Sequence, residues 1–303
     1  MINLPLDRPG RFYKGNLHCH SNRSDGQLDP AAMVAAYRDR RYDFIALTDH
    51  FWRFGGSSVT DTREWRTANF TTLLGAELHA PQIEHGEQWH ILAVGLPLDF
   101  APPASDETGP LIAARAAAVG AFIGIAHPHA YDLTPNDART IEVAHAVEIH
   151  NDTSELHYAR GDAWYLCDLL LAEGRRLLAY AADDAHFTHP ADGFGSWVQV
   201  WAEQFTPEAL LAALKAGHYY ASEGPEIFDL TITDNVLKLH CSPVERMILT
   251  GRGGRQYHIS IDITSHTFAL DAFAGSYCRV TLVDAAGKRA WSNPIWLPQF
   301  HTN

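Results

Sequence analysis

Basic residues are scarce in this chain: its 303 residues hold 23 Lys and Arg against 36 Asp and Glu, a formal net charge of −13. No Lys/Arg run interrupts the acidic background, which excludes non-specific nucleic-acid binding, because that affinity comes from neutralised phosphates. Long apolar runs are missing as well. Nothing approaches the ~18 apolar residues of a membrane span, and the opening MINLPLDRPG has no apolar signal core. The expectation is a cytoplasmic protein with no membrane partner. Cysteine is rare: Cys19, Cys167, Cys241 and Cys278 lie far apart and form no C-x-x-C pair, which excludes a disulfide scaffold and a thiolate zinc knuckle. There is no repeat of solenoid period and no low-complexity tract.

Core-forming residues are plentiful, at 46% hydrophobic against 19% charged, enough for one large domain or two unequal ones. They fall into two textures. Up to about residue 225, short apolar runs alternate with helical patterns. GNLHCH, YDFIALTDH, TTLLGAELHA, WHILAVGL, AFIGIAHPH, HAVEIHN, RLLAYAADDAH and GSWVQVWA read as strands. Helices are expected behind Asp29-Pro30, near Gly109 to Gly120, behind Thr134, in DAWYLCDLLLAEG up to Gly174, and in TPEALLAALKAGHYY. Such alternation predicts a parallel sheet or barrel. From about Glu226 only alternating β-type runs remain, split by turn residues such as Asp234-Asn235 and Ala286-Gly287, and these predict a small antiparallel sandwich. The expected domains are therefore 1–225 and 226–303.

Histidine is abundant, with 18 residues, and its placement carries the chemistry. In LHCHSNRSDG, side-chain alternation along an extended strand puts His18 and His20 on one face and Cys19 on the other, as a small core residue. Further polar residues stand where apolar strands run out: Asp49-His50 after FIALT, Glu77 after LLGA, His127 after FIGIA, and Asp183-Asp184 with His186 after LLAYAA, while His90 opens ILAVGL. Strand ends of an α/β barrel gather on one face. Imidazole with carboxylate suits Zn, Mn or Fe, and two ions ~3.5–4 Å apart can polarise a phosphoryl oxygen and hold a hydroxide. Unpaired buried acids are costly, so a purely structural account of so many strand-end sites is poor.

As an ordered set, His18-Cys19-His20 with Ser24-Asp25-Gly26, Thr48-Asp49-His50, Gly75-Ala76-Glu77, His90-Ile91-Leu92, Ala126-His127-Pro128 and Asp184-Ala185-His186 resembles the motifs of the PHP (polymerase and histidinol phosphatase) superfamily over roughly residues 15–225. The β-rich remainder is similar to the extension of a stand-alone branch that includes phosphoesterase-like proteins and relatives of a carbaryl hydrolase. The resemblance implies a distorted (β/α)7 TIM-like barrel with two or three divalent transition-metal ions. Carried over, His18, His20, Glu77 and Asp184 would hold the first ion. Glu77 would bridge to a second ion held by His90 and His127, and Asp25, His50 and His186 would hold a third. Asp25, His50, Glu77 and Asp184 would then be catalytic, with a hydroxide between the ions as nucleophile. Asp49 and Glu148 would orient ligands or loops from behind.

Other residues read more plainly. Arg23, Arg53 and Arg160 are the candidate phosphate clamp, and His129 a candidate substrate contact. His79, on the face of Glu77, and His85 are weaker candidates. His145, His157, His189 and His218 read as structural or solvated, and the histidines from His240 onward fall outside the expected barrel. Three functions compete. The first is a phosphoesterase acting on a small anionic phosphomonoester, which includes nucleotides. The second is a carbamate or carboxylic-ester hydrolase with Phe51, Trp52 and Phe54 as pocket walls. The third is a non-enzymatic metal-binding module. Oligomeric state is not legible.

Overall fold

Three helices open on the same local grammar, a side-chain cap followed by proline. The Asp29 carboxylate accepts from Ala32 N ahead of α1 (Pro30–Asp39). Thr134 and Asp137 form a reciprocal capping box on α3 (Pro135–Thr140), and Thr206 caps α6 (Pro207–Ala216). The computed structural model describes residues 9–52, 58–254 and 256–299. Among them the chain forms six α-helices around one large sheet. The first strands are β1 (Arg11–Asn16), β2 (Phe44–Leu47), β3 (His50–Phe51), β4 (Thr71–Ala80) and β5 (Trp89–Val94). After α2 (Gly109–Ala118) come β6 (Phe122–Ile125), β7 (Ala146–Asn151), α4 (Asp152–Tyr158), α5 (Trp164–Ala172), β8 (Leu178–Ala182), β9 (Trp197–Ala202) and β10 (Tyr219–Ser222).

The sheet runs in the order β10-β9-β1-β2-β4-β5-β6-β7-β8. Pairing is parallel at β1–β2, β2–β4, β6–β7 and β7–β8, but antiparallel at β4–β5 and β5–β6, so the all-parallel pattern expected from alternation is interrupted. No helix separates Ala80 from Trp89, and a strand pair joined by so short a loop must run antiparallel. Beyond β8 the sheet meets its own start. Cys19 and Ala185 form a parallel bridge, with Asp184 N donating to His18 O and His20 N to Ala185 O, both at 2.9 Å. The curl is filled by Leu17, Phe44, Leu73, Leu92, Phe122, Tyr180 and Val198. It also dictates Gly15, since a Cβ there would run into the Phe44 ring. Through this closure the segments after β1, β2 and β8, and the far end of β4, converge.

Two elements differ from the sequence reading. The strand expected at 15–20 is Arg11–Asn16, so His18 and His20 follow it as an extended segment tied by the Cys19 bridge. Helix α4 is additional, capped by Asn151 Oδ1 on Ser154 N at 2.7 Å.

The remaining strands are β11 (Ile227–Thr233), β12 (Val236–Gly251), β13 (Gln256–Ala269), β14 (Tyr277–Val283), β15 (Arg289–Ser292) and β16 (Ile295–Trp296). The runs VLKLHCS and RMILTG both belong to the single 16-residue β12. Its register shifts between His240 and Arg246 accommodate Pro243, which has no N–H for a ladder. β15 pairs with β10, so these strands continue the same hydrogen-bonded sheet. Arg279 on β14 holds Asp168 on α5 by two bonds of 3.1 and 2.8 Å, and Asn293 Oδ1 accepts from Ala179 N of β8 at 2.8 Å. Ending the chain after Ser222 would bare the β15-facing edge of β10, which stays paired only with β9, and remove the buried Trp291. Such a protein is expected to be insoluble or to lack a cooperative melt; a soluble form with a sharp melting transition would show that 226–303 is dispensable for folding.

Candidate metal centre

Backbone geometry around β1 sets the first ligand-type pair. His18 and His20 share one face and are fully buried, while Cys19 packs the other way with Met33, Ile45 and Leu47. The loop that follows is gathered by Asp49, whose carboxylate accepts from Ser21 N (2.6 Å), Ser21 Oγ (2.9 Å), Ser24 Oγ (3.1 Å) and Thr60 Oγ1 (2.7 Å). Gly26 closes the loop where a Cβ would strike the His20 carbonyl. Asp25 is thereby aimed back at His50 and His186.

Glu77, on β4, is fully buried and is the hub of the cluster. Its Oε1 lies 2.8 Å from His90 Nδ1 and 2.9 Å from His127 Nε2. Its Oε2 lies 2.7 Å from His50 Nδ1, 3.5 Å from Nε2 of both His18 and His20, and 3.7 Å from His79 Nε2. Six imidazoles thus surround one carboxylate, with His50 brought by β3, His90 by the start of β5 and His127 by the end of β6. Asp184 faces the same centre, with Oδ1 at 2.9 Å from His20 Nε2 and 3.3 Å from His18 Nε2. On the outer side Asp25 bridges His50 and His186, each Nε2 at 3.3 Å. The positive φ of Asp184, 56°, marks the sharp exit from β8 that turns its carboxylate inward.

The donor atoms fall into overlapping groups, each within 4.8 Å: His20, Asp25, His50 and His186; His18, His127 and Asp184; His18, His20 and Glu77; His50, Glu77 and His79; Glu77, His90 and His127. Whether they fit cations can be judged from their unmet polarity. Nε2 of His18 and His20, Oε2 of Glu77 and Oδ1 of Asp184 are buried without a hydrogen bond, and such orphans demand a partner. Protons compensate meanwhile. Burial disfavours charge on His50, yet Glu77 and Asp25 push it up to about 10. Burial likewise opposes charge on His186, yet Asp25 and Asp184 push it up to about 9. Burial, then the neighbouring His50 and His186, push His20 down to about 3. Against the burial penalty, their imidazoles hold Glu77 and Asp184 well below the ordinary carboxylate range. An anionic pocket neutralised by protons on imidazoles is chemically suited to divalent cations.

Supporting residues lie behind the ligand-type ring. Glu148 Oε1 lies 3.1 Å from His18 Nδ1, and its Oε2 accepts from His127 N at 2.6 Å. Asn151 Nδ2 donates to both Glu148 and Asp184 at 3.1 Å. Asn151 was not singled out in the sequence; its only signal was its place at the end of the strand carrying Glu148. Tyr131, also unflagged, stacks on His90 with ring centroids 4.0 Å apart.

A cavity of about 300 Å³ opens on the cluster. Beyond the ligand-type residues, its walls are Tyr131, Thr153, Ser154, His157, Tyr158 and Thr188. His157, read as structural or solvated, is exposed at this lip. No Arg or Lys lines it among the described residues. Arg160 is paired at the surface with Asp132, 2.9 Å, and the exposed His129 sits beside the Asp162 carbonyl, 3.2 Å. Arg23 borders a neighbouring cavity of about 870 Å³ that shares His50. Arg53 and Phe54 lie outside the described residues. Phe51 is fully buried in the core, 6.0 Å from the Phe100 ring centre, and so forms no pocket wall. Trp52 stacks on His50, centroids 4.6 Å apart.

No family model matches the chain and no curated relative is found. Among solved structures it is similar to a two-domain protein from Bacteroides vulgatus that contains a predicted PHP-like metal-dependent phosphoesterase, at 16% identity and a TM-score of 0.54, over 93% of this chain and 94% of that one. The chain shares the fold of that protein. A protein of Bifidobacterium adolescentis, provisionally described as a metal-dependent phosphoesterase, shares 15% identity over 59% of this chain and 90% of its own, with a TM-score of 0.43. An amidohydrolase from Chromobacterium violaceum, with bound sulfate and no metal, shares 15% over 57% of this chain and 87% of its own, with a TM-score of 0.41. No helix among the described residues is long and apolar enough to cross a membrane.

Proposed function

We propose that the chain is a metal-dependent hydrolase of small phosphomonoesters. It would hold two or three divalent ions, drawn from Zn, Mn and Fe, on His18, His20, Asp25, His50, Glu77, His90, His127, Asp184 and His186. Six imidazoles around the buried, charged Glu77 carry this reading. When bound, such ions polarise a phosphoryl oxygen and activate water at neutral pH. Glu77 offers one oxygen to the His90/His127 side and the other to the His18/His20 side, so it is shaped to be shared between two of them. Glu148 fixes the His18 ring from behind, and Asn151 fixes the Asp184 carboxylate.

Ser154, Thr188, Tyr131, Tyr158 and His157 line the substrate cavity and would bond phosphate oxygens or the alcohol being released, while Thr153, also in the wall, donates its hydroxyl to Asp192 at 3.1 Å. The cavity's volume sits at the low end of the ~300–1,000 Å³ range for small-molecule sites, which favours a small substrate. No aliphatic side chain lines that cavity among the described residues, so an ester or carbamate would find apolar contact there only on the Tyr131 and Tyr158 rings. In this reading residues 1–225 form a distorted (β/α)7 barrel that carries the site, and 226–303 form an accessory β-sandwich.

Protein purified without chelator is expected to contain two or three transition-metal ions per chain by elemental analysis. Chelation should remove phosphomonoesterase activity and re-addition of metal restore it. Because His50 and His186 hold protons in the ion-free cluster, loading should release protons and weaken as the pH falls. Full turnover by metal-free protein would refute the proposal.

A further inference from the structure

We propose that His79 is a positioning residue, which locks the His50 ring for metal binding by accepting a hydrogen bond from its Nδ1–H. This rests on the metal-centre reading above. The two nitrogens of His50 face different partners. Nε2 faces Asp25 Oδ2 at 3.3 Å and joins the group of His20, Asp25 and His186. Only an imidazole nitrogen without a proton can bind a cation, so a ligating Nε2 puts the ring proton on Nδ1.

Two acceptors stand 2.7 Å from Nδ1: His79 Nε2 and Glu77 Oε2. Glu77 Oε2 is itself in the donor group with His18 and His20, so bound ions draw on its lone pairs. With Nε2 on an ion, the protonated Nδ1 cannot serve in the group of His50, Glu77 and His79, so His79 Nε2 is the acceptor left for the His50 proton. His79 is 4% exposed, which leaves little room for water to substitute. The backbone fixes the encounter: β3 pairs with β4 in the register His50–Glu77 and Phe51–Leu78. His79, two residues past Glu77, lies on the same strand face. One strand thus delivers both the shared carboxylate and the group that sets the tautomer of the neighbouring ligand. Loss of such an outer partner typically costs a ligand site about 10–100-fold in metal affinity.

The test is Co²⁺ titration of the metal-stripped full chain, followed by visible absorption and competition with a chelator. His79→Leu should keep the packing but remove the acceptor, so one ion per chain should bind about 10–100-fold more weakly, with its absorption band altered. His79→Gln can place its carbonyl oxygen near the position of Nε2 and should keep wild-type affinity and spectrum. His79→Asn is too short to reach and should behave like His79→Leu, which keeps the comparison intact if the leucine variant does not fold. Wild-type affinity in His79→Leu or His79→Asn, or equal losses in the Asn and Gln variants, would overturn the role of His79 alone. A wild-type chain that binds no Co²⁺ would overturn the metal-centre reading with it.

Discussion

Glu77→Gln is expected to abolish turnover and lower metal occupancy in the same step. The substitution keeps shape and leaves one oxygen acceptor, but it removes the negative charge that six imidazoles surround. Loss of a group that merely orients a ligand typically costs about 10–100-fold in affinity or activity, and a carboxylate shared between ions should exceed that. The amide N–H groups would also point at nitrogens that need an acceptor. His240→Ala, at an exposed position on β12, should leave metal content and kcat unchanged. His157 is unsuitable as such a control because it lines the cavity. Retention of both metal and activity in Glu77→Gln would show that the cluster around Glu77 is not the reaction centre.

Much of this centre could be read from the sequence because its residues sit where apolar strands stop, and the chemistry of strand ends is a local property. The H-x-H alternation and the lone Cys19 facing the core needed only the period of an extended chain. Glu148 was visible for the same reason. His79 and Asn151 were harder. The contact of His79 with His50 depends on the register of a two-residue strand against β4, and that of Asn151 with Asp184 on the pairing of β7 with β8. Tyr131 and His157 reach the cavity from connecting segments, where no period constrains direction. Arg160 was misleading in the opposite sense: it is long enough to reach several places, and the structure pairs it with Asp132 at the surface. In the later strands, a register shift lets β12 run through Pro243, an accommodation set by its neighbouring strands that no local pattern announces.

Substrate charge gives the second large effect. In the proposed centre, divalent ions concentrate positive charge inside a chain of net charge −13, and a dianionic group that bridges them gains more than a neutral carbonyl offering one oxygen. The cavity walls point the same way. Hydroxyl and imidazole groups from Ser154, Thr188, Tyr131, Tyr158 and His157 can bond phosphate oxygens, whereas an aryl ester would need apolar contact, and Phe51 is committed to the core. The metal-loaded enzyme is therefore expected to show a higher kcat/KM for p-nitrophenyl phosphate than for p-nitrophenyl acetate, each corrected for its uncatalysed rate. Inorganic phosphate should inhibit competitively by occupying the same position as the substrate's phosphoryl group. Insensitivity to phosphate together with faster enzyme-dependent cleavage of the acetate would reverse the assignment in favour of an ester or carbamate hydrolase. The neighbouring cavity that shares His50, bordered by Val59 and Trp65, would then be the place for the apolar part of the substrate.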